Sequence, residues 1–350
     1  MIAQTVGMRR SLIASSLFAA STMAAMTVPA LGTGVATAAS FDHSARATVF
    51  FPNPVQQTGH QWLTDKKDTD YPALQSSYQQ VTLTDLDGSG TLTGRYAVVK
   101  SATGTPARLS SGAFPSWHRD ADQFEQVMAY YWVTTSQHYL QSLGFGRSLP
   151  SVNQRQIVLR INQIGYDNSY FRDDQASLRF GKGGVDDAED AEVIIHEYGH
   201  SVQDSQVAGF GTTLESGSIG EGFSDYLAVA VTSWATGVPT KSDEACVADW
   251  DAISYTVGPE HCLRRIDGDK VYPRDLVGEV HADGEIWSAA LYDIHRSVGA
   301  AKAARIIIGA QFQFTADTTF AAAAQATVDY AKQYGAGTQV RAAFKAHGLL

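Results

Sequence analysis

Between Asp120 and Leu143 the apolar and aromatic positions Phe124, Val127, Met128, Tyr131, Trp132 and Leu140 recur at helical spacing, which predicts a helix packed on a sheet. Before it the chain reads as strands and turns. Thr48 to Phe51 is a short apolar run stopped by Pro52 and Pro54, and Val81 to Thr84 alternates apolar with polar. The segment Asp85-Leu86-Asp87-Gly88-Ser89-Gly90 begins like a calcium loop but carries Tyr96 where a closing Glu is needed, so it reads as a hairpin turn. Gln156 to Ile161 reads as a buried strand, and Asn168 to Asp174 with Leu178 to Gly184 as edge strands and a turn.

Past Gly184 the pattern changes. Asp186, Asp187, Glu189 and Asp190 suit the first turn of a helix, where free N–H groups favour negative charge, and that helix carries Val193, Ile194 and Ile195 into His196. A second helix is predicted from Ser218 to about Trp234, closed by Gly237 and Pro239, and Ala-rich helical patterns fill most of Glu285 to Ala346. The expected fold class is α+β, with a sheet-rich N-terminal lobe over residues 40–185 and a helical C-terminal lobe over residues 186–350.

Composition narrows the class. With 350 residues, 44% apolar and 18% charged, the chain has ample length for a substantial core. Arg9 and Arg10 precede an apolar run from Ser11 to Val28 and then small residues, an order that reads as a secretory signal over residues 1–39, cut after Ala38 or Ala39. The alternative is an uncleaved membrane anchor. Cleavage removes two Arg and no acids, taking the net charge from −10 to about −12, which argues against nucleic acid or an anionic membrane as partner. In an oxidising compartment Cys246 and Cys262 would pair; two free thiols or half of a metal site are the alternatives, against which stands the absence of a CxxC pattern.

The chemistry sits in His196-Glu197-Tyr198-Gly199-His200. Residues four apart share a helix face, so His196 and His200 can present two imidazoles to one metal ion with Glu197 beside them. A catalytic zinc takes three protein ligands and leaves a place for water; Glu221, 25 residues after His196 on the second predicted helix, is the expected third. Asp225, four residues later on the same face, is placed to accept the free ring N–H of a zinc-bound His, most plausibly His196. Glu197 would take a proton from the activated water and pass it to the leaving amine. His281, just before a predicted helix, is the candidate donor to the oxyanion. His118 and His138 read as structural.

These blocks, in the phrases DAEDAEVIIHEYGHSVQD, GEGFSDYLA and GEVHADGEIWSAALYDI, resemble the thermolysin-like gluzincins and are closest in wording to the fungalysin family of secreted metalloendopeptidases. The resemblance runs from about Val49 to the C-terminus. It implies a thermolysin-like two-lobe fold with the zinc site between the lobes, one zinc ion on His196, His200 and Glu221, Glu197 as general base, His281 as transition-state donor and Asp225 as the partner of a ligand. It also implies that Asn168-Ser169-Tyr170-Phe171 is the edge strand that pairs with an extended peptide, and that Arg264 or Arg265 binds a substrate carbonyl. A monomer acting on peptides or proteins is expected, with no membrane partner after signal cleavage. The chain also departs from the family. The Tyr that helps hold the oxyanion has no match between Gly209 and Gly220, Gly220 stands where thermolysin has Asn, and only a short segment separates the signal from Val49 in place of a long propeptide. The sequence does not support calcium. Two other readings remain, a retired protease scaffold that binds partners, and a zinc aminopeptidase, against which stands the absence of a GxMEN sequence.

Overall fold

The computed structural model describes residues 40–101, 104–237 and 241–350; the predicted signal segment, residues 1–39, lies outside them. In chain order the elements are β1 (His43–Phe50), α1 (Pro54–Thr58), β2 (Tyr78–Leu86), β3 (Ala97–Val99), α2 (Asp122–Ser142), β4 (Ile157–Ile164), β5 (Tyr170–Arg172), β6 (Ser177–Gly181), α3 (Ala191–Gln206), α4 (Leu214–Thr236), β7 (Cys246–Val247), β8 (Arg264–Arg265), α5 (Val280–Val298), α6 (Ala300–Ala310), α7 (Phe320–Ala331) and α8 (Gly337–Ala346).

The apolar run before Pro52 becomes the end of β1, which pairs antiparallel with β2, Phe50 opposite Tyr78. The acidic glycine-rich segment turns the chain back, with Asp87 N–H donating to Thr93 O at 2.9 Å. Buried Ile157, Leu159 and Ile161 place β4 inside a four-stranded sheet of order β3-β4-β6-β5, with β5 antiparallel at one edge. The long α2 buries Phe124, Val127, Met128 and Trp132 against this layer. The described residues from 40 onward form one compact unit. Its apolar core runs without a break from Phe50 and Trp132 to Ile219 and Ile294, joining residues on both sides of position 185.

The segment from 186 to 190 differs from its expected role. Only Asp190 caps α3, accepting from Glu192 N–H at 2.9 Å. Asp187–Glu189 forms a 3₁₀ turn of its own, and its acids face inward. Glu189 accepts from Arg119 Nε at 2.9 Å and from Trp250 Nε1 at 3.2 Å, while Asn53 Nδ2 donates to Asp190 and to Asp249. Dense local acid can be buried only where cations and N–H groups arrive from distant parts of the chain, which a linear pattern does not display.

The second site helix starts four residues earlier than its pattern suggests. Thr213 caps α4 through a reciprocal bond with Ser216, so Gly217 lies inside the helix instead of in the connecting loop, together with Gly220 and Gly222. Two glycines explain why tertiary packing overrides their poor helix propensity. A Cβ on Gly222 would stand 2.3 Å from the Gly284 carbonyl oxygen of α5, and one on Gly199 of α3 would stand 2.6 Å from Ser224 Oγ and 2.9 Å from Ser224 Cα of α4. Helices α3, α4 and α5 therefore meet backbone to backbone at the level of the motif residues.

Candidate active site

Those close approaches bring His196 and His200 of α3 against Glu221 of α4. The imidazole centroids are 5.0 Å apart. His196 Nε2 lies 3.1 Å from Glu221 Oε2 and His200 Nε2 lies 3.6 Å from Glu221 Oε1; one donor atom from each residue falls within 4.8 Å of the others. Two imidazole nitrogens and a carboxylate oxygen with an open side are the donor set that suits a catalytic zinc. The buried Oε2 of Glu197 has no hydrogen-bond partner among the described residues, as a group that serves water or substrate requires.

Asp225, one turn beyond Glu221, is fully buried. Its Oδ1 lies 2.8 Å from His196 Nδ1, which leaves Nε2 of that ring turned toward Glu221. The same carboxylate receives Arg264 Nε at 2.6 Å and Nη2 at 2.8 Å, a two-pronged ion pair. Arg265 points elsewhere, onto Asp243 and Asp267 at the surface. Of the two arginines, then, Arg264 stands at the centre, with its guanidinium already engaged by Asp225. His281 occupies the first turn of α5, half exposed, with Nδ1 2.6 Å from Glu279 and Nε2 3.5 Å from Glu221 Oε2.

The protonation of these groups follows from burial and neighbours. Burial pushes the Glu197 carboxyl up to about 7, with His196 opposing and Glu221 adding to the rise. Burial alone would lower His196, but its bonds to Asp225 and Glu221 win and hold it at about 10, whereas burial drives His200 down to about 4. Burial works against the charged form of Glu221 and Asp225, yet the imidazoles, and for Asp225 also Arg264, hold both well below the usual carboxylate range.

The centre opens onto a cleft of about 500 Å³. Asn168 and Ser169 line it just ahead of β5, the edge strand of the four-stranded sheet. Four lining residues carried no signal of their own in the sequence, Asp167, Asp187, Asp251 and Tyr255. Asp187 was legible only as helix-start acid, and Tyr255 reaches the cleft from the loop between β7 and β8, where no pattern announces a site. His118 stacks on Tyr78 at 3.8 Å and pairs with Asp70, and His138 pairs with Asp85. Cys246 and Cys262 form a disulfide of 2.04 Å that closes the loop carrying Tyr255.

Residues 182–305 match the model of the fungalysin metallopeptidase family (M36). Extracellular metalloproteinase mep of Aspergillus niger is 32% identical across 30% of this chain and 18% of its own length. Extracellular metalloproteinase 4 of Trichophyton tonsurans is 31% identical across 30% of this chain and 17% of its own. The chain thus spans less than a fifth of the length of these curated relatives. The solved structure of the precursor of protealysin, a metalloproteinase from Serratia proteamaculans, superposes with a TM-score of 0.56 at 18% identity, covering 73% of this chain and 86% of that one. The fold is that of a thermolysin-like peptidase, and residues 182–305, which hold every candidate ligand, are similar to the fungalysin metallopeptidases.

Proposed function

We propose that the protein is a secreted zinc-dependent endopeptidase. The observation that carries this is the convergence of His196, His200 and Glu221 within 4.8 Å beside Glu197, whose Oε2 has no hydrogen-bond partner among the described residues, at a cleft lined by His196 and Glu197. His196, His200 and Glu221 would hold the ion, which when bound lowers the pKa of a water and polarises a carbonyl. Glu197 takes the proton from the attacking water and delivers it to the leaving amine, a role suited to a carboxyl held near neutrality. His281 donates a hydrogen bond to the oxyanion from its half-exposed position on α5. Asp225 orients the His196 ring, and Arg264, anchored by Asp225, faces the substrate carbonyl.

An extended peptide would add to the β5 edge by main-chain hydrogen bonds next to Asn168 and Ser169. Residues 40–185 and 186–350 act as the two lobes flanking the site. Export is supported by the signal pattern and by relatives named as extracellular, and among the described residues no helix is long and apolar enough to cross a membrane. Glu197→Gln tests the assignment: bound zinc is expected to stay while peptide hydrolysis falls by about 10²–10⁴-fold. Unchanged turnover in that variant would overturn it.

A further inference from the structure

We propose that the cleft beside the reactive centre holds a pocket for a cationic side chain, so that the enzyme selects a Lys or Arg flanking the scissile bond through Asp187 and Asp251. This rests on the endopeptidase assignment and concerns the same cleft. The carboxylates of Asp167, Asp187 and Asp251 come within 4.8 Å of one another, and all three line the cleft together with His196 and Glu197. Asp187 and Asp251 are only 2% and 4% exposed. One oxygen of each is engaged: Ser169 Oγ donates to Asp187 Oδ2, and the Tyr255 hydroxyl donates to Asp251 Oδ2 at 2.7 Å. The other oxygen of each, Oδ1, is buried without a hydrogen-bond partner among the described residues. Native proteins rarely leave two such acceptors unsatisfied side by side, because each forfeits its hydration for nothing.

A donor from outside the fold is therefore missing, and the surroundings specify its shape. Val193, Val247 and Leu263 line the same cleft, giving an alkyl stem apolar walls below the acids. Arg264 also borders the cleft, but Asp225 holds its guanidinium in two hydrogen bonds. Burial pushes the Asp187 carboxyl up to about 7, and a positive charge beside it would favour its ionised form. A hard metal ion fits less well: the cluster offers two free buried oxygens and the largely exposed Asp167, against the six to eight oxygens that calcium takes.

The test uses the full-length, zinc-loaded enzyme on a denatured protein substrate, with the new termini mapped by mass spectrometry, and on quenched peptides differing only in Lys or norleucine on either side of the cut. The expected result is enrichment of Lys and Arg at one flanking position and a Lys-to-norleucine ratio in kcat/KM of at least about tenfold, a ratio that falls toward one in Asp187→Asn and Asp251→Asn. The wild-type peptide ratio stands alone if either variant fails to fold. Cleavage without preference for the cationic residue overturns the proposal while leaving the endopeptidase assignment intact. So does a rise in Tm with added CaCl2 that Asp251→Asn abolishes without changing the ratio, since the cluster would then be a cation site. Failure to cut any peptide overturns both readings.

Discussion

Asp225 joins a candidate metal ligand to a buried cation, and the two duties can be separated. Replacing it with Leu removes the acceptor for His196 Nδ1 at 2.8 Å and for both Arg264 contacts at 2.6 and 2.8 Å. The Arg264 side chain is 10% exposed and would be left as an unpaired buried charge, a loss that costs about 3–5 kcal/mol. Glu221 also attracts Arg264, so the lower end of that range, about 3 kcal/mol, is expected. The freed His196 ring should weaken metal binding by about 10–100-fold. Urea unfolding with excess chelator isolates the first effect from metal linkage, and chelator competition for zinc measures the second. In the double variant Asp225→Leu, Arg264→Leu the unpaired charge is gone, so most of the stability should return while zinc affinity stays low. Recovery of zinc affinity along with stability would refute the orienting role of Asp225. A single-variant cost below about 1 kcal/mol would refute the buried ion pair.

Gly222→Ala should destabilise by about 1–3 kcal/mol and weaken zinc binding, because its Cβ would sit 2.3 Å from the Gly284 carbonyl and must part α4 from α5. Gly165→Ala, where nothing lies within 4 Å, should change stability by less than about 0.5 kcal/mol; equal urea midpoints for the two variants would contradict the close approach. Asp187→Asn gives a pH signature. With its carboxyl raised by burial from 3.8 to about 7, the folded state keeps a proton that the unfolded chain has released, so this group's contribution to stability declines between about pH 4 and 7, by up to about 4 kcal/mol. The Tm of Asp187→Asn relative to the parent should therefore rise from pH 5 to pH 8; a constant difference would show that Asp187 is not held protonated by burial.

Much of this architecture follows from local patterns. The 3.6-residue recurrence of Phe124, Val127 and Met128 marked α2 closely, and the apolar runs at Phe50 and Ile157 marked two strands. The helix α4 starts four residues before the expected Ser218 because Gly217 reads as a breaker, whereas Val280 of α5 packs closely on it. The acids at 186–190 were legible as acids but not as buried ones, since Arg119, Asn53 and Trp250, which satisfy them, lie about 60 to 140 residues away.

The sequence by itself determined the chemistry on offer: two imidazoles one turn apart, a glutamate between them and two further carboxylates one turn apart on the next helix, because helical periodicity places i and i+4 on one face. Only the tertiary structure decided which of these groups meet and on what terms. The glycine contacts set the distance between α3, α4 and α5, the Arg264 ion pair assigned one of two adjacent arginines to the centre, and the folding of β5, the 3₁₀ turn and the Tyr255 loop around one cleft gathered Asp167, Asp187 and Asp251. Such meetings depend on long-range packing and on burial, which set the strength of every charge interaction and have no local signature in the chain.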